Sequence, residues 1–159
     1  MAPVASVSLR RYRGFVKLYT IGFTQKNAEA FFSLLRKARV QRVVDVRLHN
    51  SGQLAGFTKR DDLAFFLRSI NKAGYIHVPL LAPTAEMLGS HRDGKSPWGE
   101  YAKAFRVLIR SRKIEKVLRD EIQDRDCLLC SEPTPEHCHR RIVAEHLQQH
   151  WKDLAIEHL

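Results

Sequence analysis

The sequence predicts an α/β fold. The expected form is a single-domain, mostly parallel sheet with helices on both faces, a Rossmann-like three-layer arrangement. Three observations predict it. Apolar, β-branched runs alternate along the chain with helical runs, and that alternation calls for parallel strands joined by crossover helices. The run "RVVDVRL", Arg42 to Leu48, is nearly continuous in valine, as strands covered on both faces are. The chain has 159 residues, 44% of them hydrophobic, which is enough for one packed core and too apolar for disorder.

The elements follow in order. Residues 1–15, "MAPVASVSLRRYRGF", read as a flexible basic arm, with an apolar stretch too short for a secretory signal. The single α/β domain is expected over 16–159. "VKLYTIGF", Val16 to Phe23, is the first strand, turning at Gly22. "NAEAFFSLLRKARV" is a helix whose Phe31, Phe32, Leu34 and Leu35 precede a basic last turn. Arg42 to Leu48 is the second strand, and "HNSGQLAG" is a loop of turn formers. A helix over Asp61–Ala73 starts with Thr58 or Asp61 as cap and stops at Gly74. "YIHVPL" is the third strand, ended by Pro79 or held near an edge by it. A short helix fits Thr84–Leu88, and "HRDGKSPWG" reads as a mobile loop. Residues 98–123 are helical with a break near Ser111. Asp126–Ser131 is the fourth strand. The next helix is expected to start with Thr134 as N-cap and Pro135 at its first position. "DLAIEHL" supplies a final strand.

Composition narrows the partners. Lys and Arg number 27 against 17 Asp and Glu, a net charge of +10, which favours anionic ligands: nucleic acid, nucleotides or other phosphate-bearing molecules. No apolar run approaches the roughly 20 residues that span a bilayer, so no membrane association is expected. Three cysteines are an odd count, against a disulfide-stapled secreted domain, and a reducing, cytoplasmic setting is expected.

Ligands of open parallel sheets bind beyond the carboxyl ends of the strands. The polar residues expected there are Tyr19, Gly22 and Thr24 on the first strand and turn, Asp45 and Arg47 on the second, His77 on the third, and Cys130 and Glu132 on the fourth. Asp45 and Arg47 sit between valines. They form either a structural ion pair or a carboxylate and guanidinium aimed at a ligand. A glycine-rich phosphate loop is absent, since "TIGFTQKNAEAF" carries one glycine.

"LLCSEPTPEHCHRR", Leu128 to Arg141, holds the densest chemistry. A zinc site is not expected. Cys138 and His139 are neighbours, side chains about 100° apart on a helix, and a second ligand pair is missing. A reactive cysteine is the second reading: Cys138 near a helix N-terminus, beside histidines and arginines that lower a thiol pKa, with His139 or His77 as proton carrier and Glu132 as orienting acid. An anion cradle built from the helix N-terminus, Arg140 and one histidine is the third, and it agrees best with the charge.

"YTIGFT", "VVDVRL", "YIHVPLLAPT" and "LLCSEPTPEHCHRRIVAEHL" together resemble the bacterial and archaeal family called domain of unknown function 488, from about Leu18 to the end. The resemblance implies a compact α/β fold and little about activity. It implies that Tyr19, Gly22, Asp45, Arg47, His77, Cys130, Glu132, Cys138, His139 and Arg140 occupy the family's recurring positions. "LHNSGQLAGF" and "LAP" depart from the family's usual proline-rich turn and "LGG".

The expectation is therefore a strand-end cleft for an anionic, phosphate-bearing ligand, nucleic acid or nucleotide, with a Cys/His-dependent enzyme as one form of it. A non-catalytic nucleic-acid-binding module with a structural Cys/His cluster is the alternative, and a redox or metal-responsive protein is another. No cofactor and no metal are read from the residues, and the sequence does not set the oligomeric state.

Overall fold

The structure is a computed structural model, and it describes residues 14–52 and 55–159. Among these residues, five strands form one sheet: β1 (Val16–Gly22), β2 (Arg42–Asp45), β3 (Gly74–His77), β4 (Asp126–Cys130) and β5 (Leu154–His158). Their order is β3-β2-β4-β1-β5, and every pairing is parallel. Among the described residues, six α-helices cover the faces: α1 (Ala28–Lys37), α2 (Arg60–Phe66), α3 (Ala85–Arg92), α4 (Trp98–Ser111), α5 (Ile114–Val117) and α6 (His139–His150). The predicted three-layer α/β fold is the observed one. The expected basic arm lies, over residues 1–13, outside the described residues.

Alternation along the strands feeds two cores. Val44, Leu128 and Cys130 face α4 and α6, against Phe105, Ile109 and Val143. Tyr19, Val43 and Leu129 face α1 and α2, against Phe31, Leu35 and Leu63. At the amino edge, Arg42 clamps β2 to β4 through a forked pair with Asp126, Nε to Oδ1 at 3.0 Å and Nη2 to Oδ2 at 2.6 Å.

Several boundaries differ from expectation. β2 stops at Asp45 rather than Leu48, because the Asp45 carboxylate turns back to accept the Arg47 backbone N–H at 3.1 Å. β3 ends at His77, where Pro79 starts a 3₁₀ turn through Leu81. Neither Thr58 nor Asp61 caps α2; Lys59 holds that position with no side-chain cap. α2 passes into a π turn over Leu67–Asn71, ended by Lys72 at φ 55° rather than by Gly74. Thr84 caps α3, which runs on to Arg92. The segment read as a loop after it is a tight turn. There the Lys95 and Ser96 N–H groups both donate to the Ser90 carbonyl.

The largest shift concerns α6. It begins at His139, with Cys138 in extended conformation at the N-cap, and not at Pro135. The segment 131–137 is irregular, and this moves Cys138 out of the helical turn in which it was expected.

Candidate active site

The chain leaves β1 for β2 and β4 for β5 in opposite directions along the sheet, and it leaves β2 for β3 and β4 for β5 in opposite directions as well, so both junctions are switch points. The crevice between β1 and β4 is filled by the protein itself. Thr24 N–H donates to the Ser131 carbonyl at 3.0 Å. Arg140 Nη1 donates to the Glu132 carbonyl at 2.8 Å. A Cβ on Gly22 would lie 1.5 Å from that same carbonyl oxygen. Gly22 is therefore the residue that lets the loops after β1 and β4 touch, a role for its missing side chain rather than a contact to ligand.

The open cleft lies instead beyond β2 and β4, on the α4–α6 face. It is a cavity of about 80 Å³. Its floor is Cys130, Cys138 and His139, and Glu132 and Arg47 border it. Its wall is a ladder of rings. His137 and Trp98 lie 5.3 Å apart, Trp98 stacks on Tyr101 at 5.5 Å, Tyr101 on Phe105 at 6.2 Å, and Phe105 meets the His139 ring edge-on at 5.4 Å. His91 packs on Tyr101 at 4.7 Å, and Arg92 and His49 complete the mouth.

Thus the structure brings together Arg47, Cys130, Glu132, Cys138 and His139 from the expected set. It places six others elsewhere. Tyr19 is buried against α1 on the opposite face. Gly22 and Thr24 join the loops. Asp45 is fully buried on that opposite face as well, and the expectation that it shares a cleft with Cys138 is corrected. Its Oδ1 accepts from Arg47 Nε at 2.9 Å, and its Oδ2 accepts from Arg47 Nη2 and the Tyr75 hydroxyl, each at 2.7 Å. Burial opposes the Arg47 charge, but the Asp45 bonds outweigh it and hold the guanidinium protonated. The structural reading of this pair is the observed one for Asp45. Arg47 also donates to the Thr58 carbonyl, and these bonds use Nε and Nη2 but not Nη1. His77 is tied through Nε2 to the Arg47 carbonyl at 2.7 Å. Arg140 is fully buried, 3.4 Å from Thr20 Oγ1 through Nε, with no carboxylate at ion-pair distance among the described residues.

The thiols divide their roles in a way the sequence did not suggest. Cys138 was expected to be the acidic sulfur. Burial first, and then its contact with Cys130, push the Cys138 thiol well up, so it stays protonated. Cys130 goes the other way. The hydrogen bond from Cys138 is the main cause, and the N–H groups of Ser131 and Glu132 and the buried charge of Arg140 add to it. Strand β4 ends at Cys130, and the N–H groups of Ser131 and Glu132 just beyond it favour the charged sulfur. Cys127 faces the opposite core, and burial pushes its thiol up.

His139 is oriented by backbone. Its Nε2 lies 2.9 Å from the Val46 carbonyl, which can only accept, so Nε2 carries the proton and Nδ1 is the free acceptor. The Cys130 sulfur is 3.5 Å from Nδ1 and 3.9 Å from Nε2, and therefore faces the ring edge between them. Cys130, Cys138 and His139 offer ligand atoms within 4.8 Å of one another. The objection that Cys138 and His139 diverge as helix neighbours does not hold, because Cys138 is extended. The trio could hold a soft ion only after the imidazole turns its Nδ1 lone pair toward the sulfurs; as it stands the geometry suits thiol chemistry. Tyr101, its phenol pushed up by burial and then by the neighbouring Cys130 sulfur, remains a hydroxyl donor.

Sequence reasoning missed His91, Arg92, Trp98 and Tyr101. A signal for the last two was present: Trp98, Tyr101 and Phe105 recur at helical spacing and stack along one face of α4. Nothing local indicated that this face would meet the loop after β4.

Comparison with known proteins gives a family match. The family model described as Domain of unknown function DUF488 covers residues 27–147. No curated protein and no solved structure matches the chain.

Proposed function

The chain belongs to the family of domain of unknown function DUF488, and on that footing we propose that its cleft is an enzyme site for a small anionic ligand of the nucleotide class, with Cys130 as the reacting group. The observation that supports this is a thiol biased toward its ionised form on the floor of a cationic, aromatic-walled cavity. Cys130 is the nucleophile and Cys138 donates its S–H to it. His139 keeps Nδ1 as proton acceptor while Nε2 is held by Val46. The half-buried Trp98 suits a planar heterocycle, while Tyr101, stacked between Trp98 and Phe105, backs that ring and turns its hydroxyl to the cleft. Arg92, His49 and His137 at the mouth suit a phosphate. All three cysteines are free. A reacting thiol needs a reducing compartment, and we place the protein in the cytoplasm.

A base at the end of a single strand would use the same contacts, so the test separates the sources. Binding is measured for mononucleotides and for short single- and double-stranded DNA and RNA, each at two salt concentrations. The expected result is mononucleotide binding that Trp98→Ala weakens by about 1–3 kcal/mol, the range found for one base stacked on one ring. Arg92→Ala is expected to weaken phosphate-bearing ligands but not free nucleosides. Contrary results would be no nucleotide binding at all, with nucleic-acid affinity that falls steeply with salt and declines gradually as scattered Lys and Arg are removed. That pattern belongs to a non-catalytic binding module.

A further inference from the structure

A second cluster lies outside the cleft. Helix α6 starts at the cleft floor and runs toward the amino edge of the sheet, where β5 begins. His146 and His150 lie about 10 and 16 Å along α6 from His139, at 1.5 Å per residue. They are four residues apart, on one face of α6, with ring centroids 4.4 Å apart. Glu115 approaches from α5, and its Oε2 is 3.0 Å from His146 Nε2.

We propose that Glu115, His146 and His150 bind one transition-metal ion of the zinc type, independently of the cleft. One ligand atom from each residue lies within 4.8 Å of the others. Tetrahedral zinc with Zn–N and Zn–O near 2.0–2.1 Å needs neighbouring ligand atoms about 3.3–3.4 Å apart. The closure required is therefore about an ångström and a half at most, within the reach of one side-chain rotation. The set is also oriented for it. The His150 Nδ1 lies 2.8 Å from the His146 carbonyl, which can only accept, so Nδ1 carries the proton and the Nε2 lone pair is free. This is the backbone-to-histidine bond that commonly fixes a metal-ligating imidazole. Glu115 is held in place through its own carbonyl, which accepts from Trp151 Nε1 at 2.9 Å. His146 ligates through Nε2 once its proton sits on Nδ1, and the ion replaces the present His146–Glu115 hydrogen bond. Because His150 is exposed, the fourth position opens to water. Two imidazoles and one carboxylate select Zn²⁺, Co²⁺, Ni²⁺ or Cu²⁺ over Mg²⁺ and Ca²⁺.

The cleft thiols are the competing ligands, so the test uses Co²⁺ as well as Zn²⁺. The full chain, stripped with a chelator, is titrated with Zn²⁺ against a chromophoric competitor, and with Co²⁺ while its absorption spectrum is followed. One equivalent is expected to bind, with no sulfur-to-cobalt charge-transfer band. His150→Ala, at an exposed position, and Glu115→Gln are each expected to lower affinity by about tenfold or more while leaving the fold intact by circular dichroism. The proposal is overturned if no stoichiometric ion binds, if binding is unchanged in both variants, or if the charge-transfer band places the ion on the cysteines. The first two outcomes leave the cleft reading untouched, whereas an ion on the cysteines would count against Cys130 as a free nucleophile as well.

Discussion

Replacing Asp45 with alanine is expected to cost about 3–5 kcal/mol of stability, the usual penalty for removing one partner of a buried ion pair. The carboxylate is fully buried and accepts from the Arg47 side chain, the Arg47 backbone and the Tyr75 hydroxyl. Alanine would leave the Arg47 guanidinium, itself 6% exposed, without a counter-charge. For a chain of this length the loss corresponds to a melting temperature lower by roughly 6–20 °C. Urea unfolding of the variant measures it directly. The double variant Asp45→Ala, Arg47→Met should recover much of the loss, because the stranded charge is gone. A change below about 1 kcal/mol in Asp45→Ala would show that the carboxylate is free for a ligand after all.

Gly22→Ala is expected to cost about 3 kcal/mol, at the upper end of the overpacking range. The added Cβ would fall 1.5 Å from the Glu132 carbonyl oxygen, a backbone atom that cannot swing aside. That carbonyl is already fixed by Arg140, and its neighbour Ser131 is fixed by Thr24. The loop after β4 would have to move, and with it the N–H groups that lower the Cys130 pKa. The variant should therefore lose both stability and Cys130 reactivity, read from urea unfolding and from alkylation of the thiol. A stable Gly22→Ala protein with unaltered thiol chemistry would contradict the close contact of the two loops.

The fold was legible because its signals are local. Valine-rich strands, basic helix ends and turn formers mark each element without reference to the rest of the chain. The helix after β4 was misplaced because Thr134-Pro135 carries a strong helix-start signal, which tertiary packing overrides. Arg140 and His139 are buried at the sheet edge, and α6 starts where they dock. This one shift explains the misreading of the thiols. With Cys138 in a helical turn, the dipole would have lowered its pKa. As an extended, buried N-cap it donates to Cys130 instead. Asp45 shows a different limit. Period-two spacing placed it correctly with Arg47, but whether the pair faced the cleft depended on which sheet face α4 and α6 would cover. The Trp98–Tyr101 wall depended on the same information.

In the proposed site Cys130 is the ionised sulfur of the cleft, and residue-resolved alkylation across pH distinguishes it from Cys138. The native protein is treated with a small haloacetamide at a series of pH values, and labelling of Cys127, Cys130 and Cys138 is followed separately by mass spectrometry. Because only the thiolate reacts, the rate climbs as pH rises through each thiol's pKa and then levels off. Cys130 should label first, with its rate levelling off below the ordinary thiol pKa of about 8.5, and Arg140→Met should move that rise to higher pH. Cys127 and Cys138 should stay unlabelled until the pH is well above that value. First labelling at Cys138, or a Cys130 that reacts only above the ordinary thiol pKa, would contradict Cys130 as the ionised sulfur.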